Sequence, residues 1–192
     1  MHNKILIIRA CSSSDEPHEC NGICEQTQLY GIESVCKCVR DNDELDHILH
    51  SNGLFDYIYL SAHGCSEGFA SEDEKVNMSW KRQDMQLCHN KCMNEDNILM
   101  LSCCRGGMEV TYDIFLTCQQ ICYVLGPRQS LTSANMHICF GIFLYNMEIR
   151  GVDPILACEK IKLATDQRFS CYDRLEESIS IRNYDYMRMG YE

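Results

Sequence analysis

Apolar and polar positions along this chain change period several times, and each change predicts an element. "KILIIRA" (4–10) is a short continuous apolar run, as a strand buried on both faces requires. Asp15, Glu16 and Pro17 then make a helix start, predicting a helix within 16–30. "SVCKCVR" (34–40) alternates like a strand, and "NDELDHILHSN" (42–52) has the spacing of a short amphipathic helix. "FDYIYLSA" (55–62) predicts a strong strand ending at His63-Gly64, followed by a polar loop or small hairpin over 64–78. "WKRQDMQLCHNKC" (80–92) reads as a helix and 97–103 as the next strand. A helix near 108–120, the strand "ICYVLG" (121–126), a turn at Gly126-Pro127 and a long helix near 132–149 follow. Asp153 before Pro154, a cap followed by proline at the first helical position, opens a last helix near 153–165. The tail 166–192 reads as an edge strand or a partner-binding segment.

Strand, helix, strand, helix implies α/β: a three-layer sandwich whose mainly parallel central sheet carries helices on both faces. In such sheets ligands bind beyond the carboxyl ends of the strands. His63 and Cys104 stand at two such ends.

Composition narrows the picture. A chain of 192 residues accommodates one domain, 1–192, with a full-sized core. A net charge of −11 argues against a phosphate-binding surface, so no direct nucleic-acid partner is expected. No apolar run reaches membrane-spanning length, and the apolar stretch in "MHNKILIIRAC" is too short for a signal peptide. The 15 cysteines are an odd number without an export signal, which predicts a reducing cytoplasm with most thiols acting as small buried hydrophobes.

Two adjacent thiols end the apolar run of "NILMLSCCRGG" (97–107), and strand alternation separates them. Ile98, Met100, Ser102 and Cys104 share one face; Leu99, Leu101 and Cys103 share the other. Cys103 continues an aliphatic row and reads as core. Cys104 stands where the chain leaves the sheet into Arg105-Gly106-Gly107, glycines that permit unusual backbone angles and close approach of a substrate. Backbone N–H groups at a turn leading into a helix favour a thiolate and a developing oxyanion. Tyr57, Tyr59, Ser61 and His63 likewise share a face. If strands 55–62 and 97–103 are neighbours, His63 comes within side-chain reach of Cys104. A thiol is nucleophilic as thiolate, and an imidazole can take its proton and return it to a leaving amine.

"SAHG" and "SCCRG" together resemble the histidine-glycine element and the Gln-Ala-Cys-Arg-Gly pentapeptide of caspase-like cysteine peptidases (clan CD). The family spacing of roughly 50 residues compares with 41 here. The resemblance is closer to the bacterial CHAT branch, whose nucleophile strand ends Leu-Ser-Ala-Cys where this one ends Leu101-Ser102-Cys103-Cys104. It covers about residues 4–165, including "YVLGPRQSLTSANMHICFGIFLYNMEIRGVDPILACEKIKLA". It implies a single-chain cysteine endopeptidase that needs no cofactor and no metal. Cys104 would be the nucleophile, His63 the acid–base, and the amides of Gly64 and Cys104 the oxyanion hole. It also implies one specific protein substrate, a role in bacterial immunity (antiviral defence) or programmed death, and an activating partner or assembly. Ser102 stands where caspases have the pocket glutamine and metacaspases an aspartate, so aspartate preference does not carry over. Asp15 and Arg128 lie where the family builds its substrate pocket and favour opposite charges, leaving the preference open.

Other patterns have blander readings. Cys88, His89 and Cys92, with Cys20/Cys24 and Cys36/Cys38, are candidate zinc ligands, but none repeats a C-x-x-C spacing and packed cysteines are the simpler account. Segments 64–78, 105–107 and 127–133 flank the mouth with glycine, serine, proline and acidic residues and few apolar anchors. Loops of that kind are costly to order, which predicts weak activity of the chain alone. The rival readings are a catalytically silent adaptor of the same fold and a flavodoxin-like nucleotide binder. The latter would need a glycine-rich loop where "RACSSSDE" stands.

Overall fold

The structure is a computed structural model that describes residues 3–11, 15–50, 53–80, 92–108, 118 and 120–174. The helix expected over 80–92, the body of the one near 108–120 and the tail beyond 174 lie outside the described residues. The chain runs β1 (Lys4–Arg9), α1 (Glu16–Leu29), β2 (Glu33–Cys38), α2 (Asn42–Leu49) and β3 (Phe55–Ser61). Three short strands follow, β4 (His63–Gly64), β5 (Gly68–Ala70) and β6 (Asn77–Ser79). After them come β7 (Met93–Ser102), β8 (Tyr123–Pro127), α3 (Ser133–Glu148), α4 (Pro154–Thr165) and β9 (Phe169–Asp173).

The long strands form one six-stranded sheet in the order β2-β1-β3-β7-β8-β9. The pairs β1/β2, β1/β3, β3/β7 and β7/β8 are parallel, and β9 closes the β8 edge antiparallel. Side-chain alternation sorts the core into two layers. Ile5, Ile7, Tyr57, Tyr59, Ile98 and Met100 face α1, α3 and α4 on one side. Leu6, Ile8, Ile58, Leu60, Leu99 and Leu101 face α2 and the small sheet on the other. The α/β class and the mainly parallel sheet with helices on both faces agree with the pattern in the sequence.

Helix starts are explained by their caps. Asp41 accepts from the Glu44 N–H at 2.8 Å, Thr132 from Asn135 at 3.3 Å and Asp153 from Leu156 at 3.0 Å. No helix among the described residues is long and apolar enough to cross a membrane.

Three expectations need correction. The strand placed at 97–103 begins at Met93, because "MNEDN" is polar and hides a first half that joins β3 through a register shift between Phe55 and Tyr57. Gly126 and Pro127 do not turn; both lie in β8, opposite Ser170 and Phe169. A strand's last residue can lack an N–H, and the Pro127 carbonyl still accepts from Gly107 at 2.8 Å. Finally, segment 64–78 has firm apolar anchors: Phe69, Val76 and Met78 are buried with Trp80 in the core below. β5 and β6 pair antiparallel, which is the small hairpin expected as one reading of this segment, and β4 extends it to three strands.

Candidate functional site at the carboxyl ends of β3 and β7

β3 and β7 are neighbours, and Ser61 pairs with Ser102 at their last rung. The Ala62 N–H still reaches the Ser102 carbonyl at 3.3 Å, so His63 leaves the sheet level with Cys104. Gly64 seals the junction. A Cβ built on it would lie 2.3 Å from the Cys104 carbonyl oxygen and 2.7 Å from its nitrogen, closer than any side chain tolerates. Only glycine lets the two strand ends touch, and the contact joins the two backbones whose amides the sequence nominates for an oxyanion.

The thiols differ as alternation requires. Cys103 is fully buried in the α2-side core, 3.7 Å from the Leu60 carbonyl, and burial pushes its thiol well above the usual range. Such a thiol stays protonated and inert. Cys104 is half-buried on the other face, its Sγ 3.6 Å from the Leu131 carbonyl.

The turn after Cys104 departs from the sequence reading. Arg105, not a glycine, takes the left-handed φ of 62°. That costs a residue with a Cβ about 1–2 kcal/mol, a strain that the surrounding contacts must hold. Gly106 and Gly107 serve close packing: a Cβ on Gly106 would meet the Leu101 Cβ of β7 at 2.9 Å and the Cys103 carbonyl oxygen at 3.0 Å, and one on Gly107 the Gly126 carbonyl oxygen of β8 at 2.1 Å. The Arg105 N–H donates to the Gln129 carbonyl at 3.2 Å, tying this turn to the segment after β8.

The first turn of α1 supplies two carboxylates that the sequence reading did not nominate. Glu16, nearly buried, has Oε1 3.6 Å from Nδ1 of the half-exposed His63. Glu19 is buried beneath the site and its Oε1 accepts from Tyr59 Oη at 2.6 Å, Ser61 Oγ at 3.2 Å and Ser102 Oγ at 2.6 Å. Burial raises its pKa despite those three donors. The available signal was positional: residues three apart in the first turn after β1 must project over the carboxyl edge of the sheet. Cys11, two residues beyond β1, is also fully buried, and its thiol is pushed up to about 12, chiefly by burial.

The proposed pocket residues do not converge. Ser102 is buried and committed to Glu19. Arg128 is held at β9, donating to Ser170 Oγ at 3.1 Å. Asp15 is exposed at the start of α1 and lines a cleft of about 370 Å³ with His18, Glu19, Ser133, Ala134 and His137. A second cleft, of about 330 Å³, is lined by His63, Gly64, Phe69, Ala70 and Met78 among others. Cys104 lines neither of these clefts.

Among the described residues every cysteine is a free thiol, and Cys11, Glu16 and His63 are the one group of three potential ligand atoms within 4.8 Å of one another. Cys20, Cys24, Cys36 and Cys38 do not gather into such a group, while Cys88 and His89 lie outside the described residues.

No protein-family model matches the chain, and no curated protein matches it significantly.

Proposed function

We propose that the protein is a cysteine endopeptidase with a caspase-like α/β domain, in which Cys104 and His63 form the catalytic pair. The observation that carries this reading is the junction of β3 and β7: parallel neighbours in register at Ser61 and Ser102, with His63 and Cys104 both two residues beyond. Cys104 is also the accessible thiol of the two.

The chemistry follows from those positions. His63 removes the Cys104 proton, and the thiolate sulfur bonds to the scissile carbonyl carbon. The amides of Gly64 and Cys104 hold the resulting oxyanion. The C–N bond breaks as His63 returns the proton to the amine, and water then hydrolyses the thioester. Glu16 acts as a positioning residue: its carboxylate, 3.6 Å from Nδ1, orients the His63 ring. A single protein substrate and a role in immunity or programmed death are the finer parts of this proposal and rest on the resemblance alone. The contact of Cys104 Sγ with the Leu131 carbonyl at 3.6 Å suits an enzyme that awaits an activating partner.

The test is labelling by a thiol-directed acyloxymethyl-ketone peptide probe. Cys104→Ala should abolish labelling and peptide hydrolysis with the fold intact. His63→Ala should lower turnover roughly 10²–10⁴-fold, the range for a positioned acid–base. A folded wild-type chain that never labels, even with its cellular partners present, would refute the peptidase and favour a silent adaptor.

A further inference from the structure

The sheet order β2-β1-β3 reverses direction between β1 and β3, which makes that gap the topological switch point where open α/β sheets hold ligands. Cys11 and Glu16 follow β1, and His63 follows β3. Their ligating atoms lie within 4.8 Å of one another, with Glu16 Oε1 and His63 Nδ1 at 3.6 Å. Around a tetrahedral zinc, bonds of about 2.0–2.3 Å set neighbouring donor atoms roughly 3.3–3.7 Å apart. One edge of the triangle already has that length, and the rest close with a shift of about 1 Å. The half-exposed His63 side chain can make that shift, because Cys11 and Glu16 are held in buried positions. The exposed side leaves a fourth position for water. A thiolate, an imidazole and a carboxylate together suit zinc, whereas magnesium and calcium take oxygen donors.

We propose that Cys11, Glu16 and His63 form a zinc site which, when filled, removes His63 from the cysteine–histidine pair and silences the protein. Binding forms a bond from zinc to each of the three side chains and releases the Cys11 thiol proton to solvent. With one ring nitrogen ligated and the other protonated, the imidazole has no lone pair for the Cys104 proton. Cys11 has no role in the proposed reaction, so the metal switch and the chemistry share only His63 and its neighbour Glu16. The silencing rests on the reading of His63 as base; the zinc site does not.

Zinc affinity is measured on the full chain by competition with a chromophoric chelator in reducing buffer, and the ligand set by the thiolate-to-metal absorption of the cobalt form. Wild type and Cys104→Ala should each hold one tight zinc with one thiolate. Cys11→Ser, Glu16→Gln and His63→Ala should lose more than the roughly 10–100-fold that a supporting partner alone contributes. Retention in Cys104→Ala separates this site from zinc captured directly by the Cys104–His63 pair. Zinc should also slow alkylation of Cys104 by iodoacetamide in wild type but not in Cys11→Ser, whose zinc-free rate should equal that of wild type. Glu16→Gln, in a helix first turn, keeps the test decisive if the buried Cys11→Ser folds poorly. Equal zinc affinity in wild type and Glu16→Gln overturns the site, and tight binding at these residues with unchanged alkylation overturns the silencing. Alkylation already indifferent to His63→Ala without zinc sinks the peptidase reading, while the affinity series still decides the metal site.

Discussion

Replacing Gly64 with alanine tests the junction on which the proposed chemistry depends. Gly64 is not among the residues with a left-handed φ, so an alanine backbone fits there and the cost is steric. The added methyl would meet the Cys104 carbonyl oxygen at 2.3 Å, the Cys104 nitrogen at 2.7 Å and the Cys103 Cβ at 2.8 Å. None of these is the end of a flexible side chain. An ordinary contact begins near 3.4 Å, so the strand ends must part by about 1 Å. Overpacking of this kind costs about 1–3 kcal/mol. For a chain of this size that lowers Tm by roughly 2–12 °C. A misplacement of about 1 Å between reacting groups costs on the order of 10²-fold in rate. The assay pairs a thermal melt with Cys104 alkylation and peptide hydrolysis, both read at a temperature where the variant is fully folded. Gly151→Ala is the control: its φ is 62° and a Cβ there meets nothing within 4 Å, so it should lower Tm through backbone strain and leave the rate alone. A Gly64→Ala protein that melts and reacts like wild type would mean that the strand ends do not meet as described, and the oxyanion assignment would go with them.

The remaining predictions concern the neighbouring thiol, the buried carboxylate and activation. Cys103→Ala should keep most of the Cys104 reactivity and lose about 1 kcal/mol of stability, as a small core truncation does; equal loss of labelling from Cys103→Ala and Cys104→Ala would sink the assignment. Glu19 has a raised pKa in the fold, so its contribution to stability is greatest below the unfolded value and is lost as pH rises through the folded one. Glu19→Gln stays neutral throughout, so its Tm relative to wild type should rise between pH 4 and 7; a difference that is flat or falls with pH contradicts the burial argument. Turnover of the purified chain should be low and should increase with concentration or with a cognate partner, through movement of the segment whose Leu131 carbonyl meets the Cys104 thiol. Full, concentration-independent activity of the chain alone would rule this out.

Local chemistry was legible in the sequence because it has a short period. Alternation by two put Cys104 on the face of Ile98 and Met100 and sent Cys103 to the face of Leu99 and Leu101, and both assignments match the two cores. The Asp153-Pro154 start of α4 was readable for a similar reason, since a cap is a contact within three residues. Polar sequence concealed the first half of β7, and in the small hairpin that followed β3 it concealed the anchors Phe69, Met78 and Trp80, scattered among charges. The strand order decided everything else. Nothing in the spacing of Cys11, Glu16 and His63 brings them together; the reversal between β1 and β3 does, by laying the start of α1 over the end of β3. Glu19 is found beneath the site for the same reason, held by hydroxyls from β3 and β7, one of which diverts Ser102 from the pocket role its position in the motif suggested. Periodicity tells which face a side chain takes. Only the packing of distant segments, set by burying two apolar faces of one sheet, determines what that side chain meets.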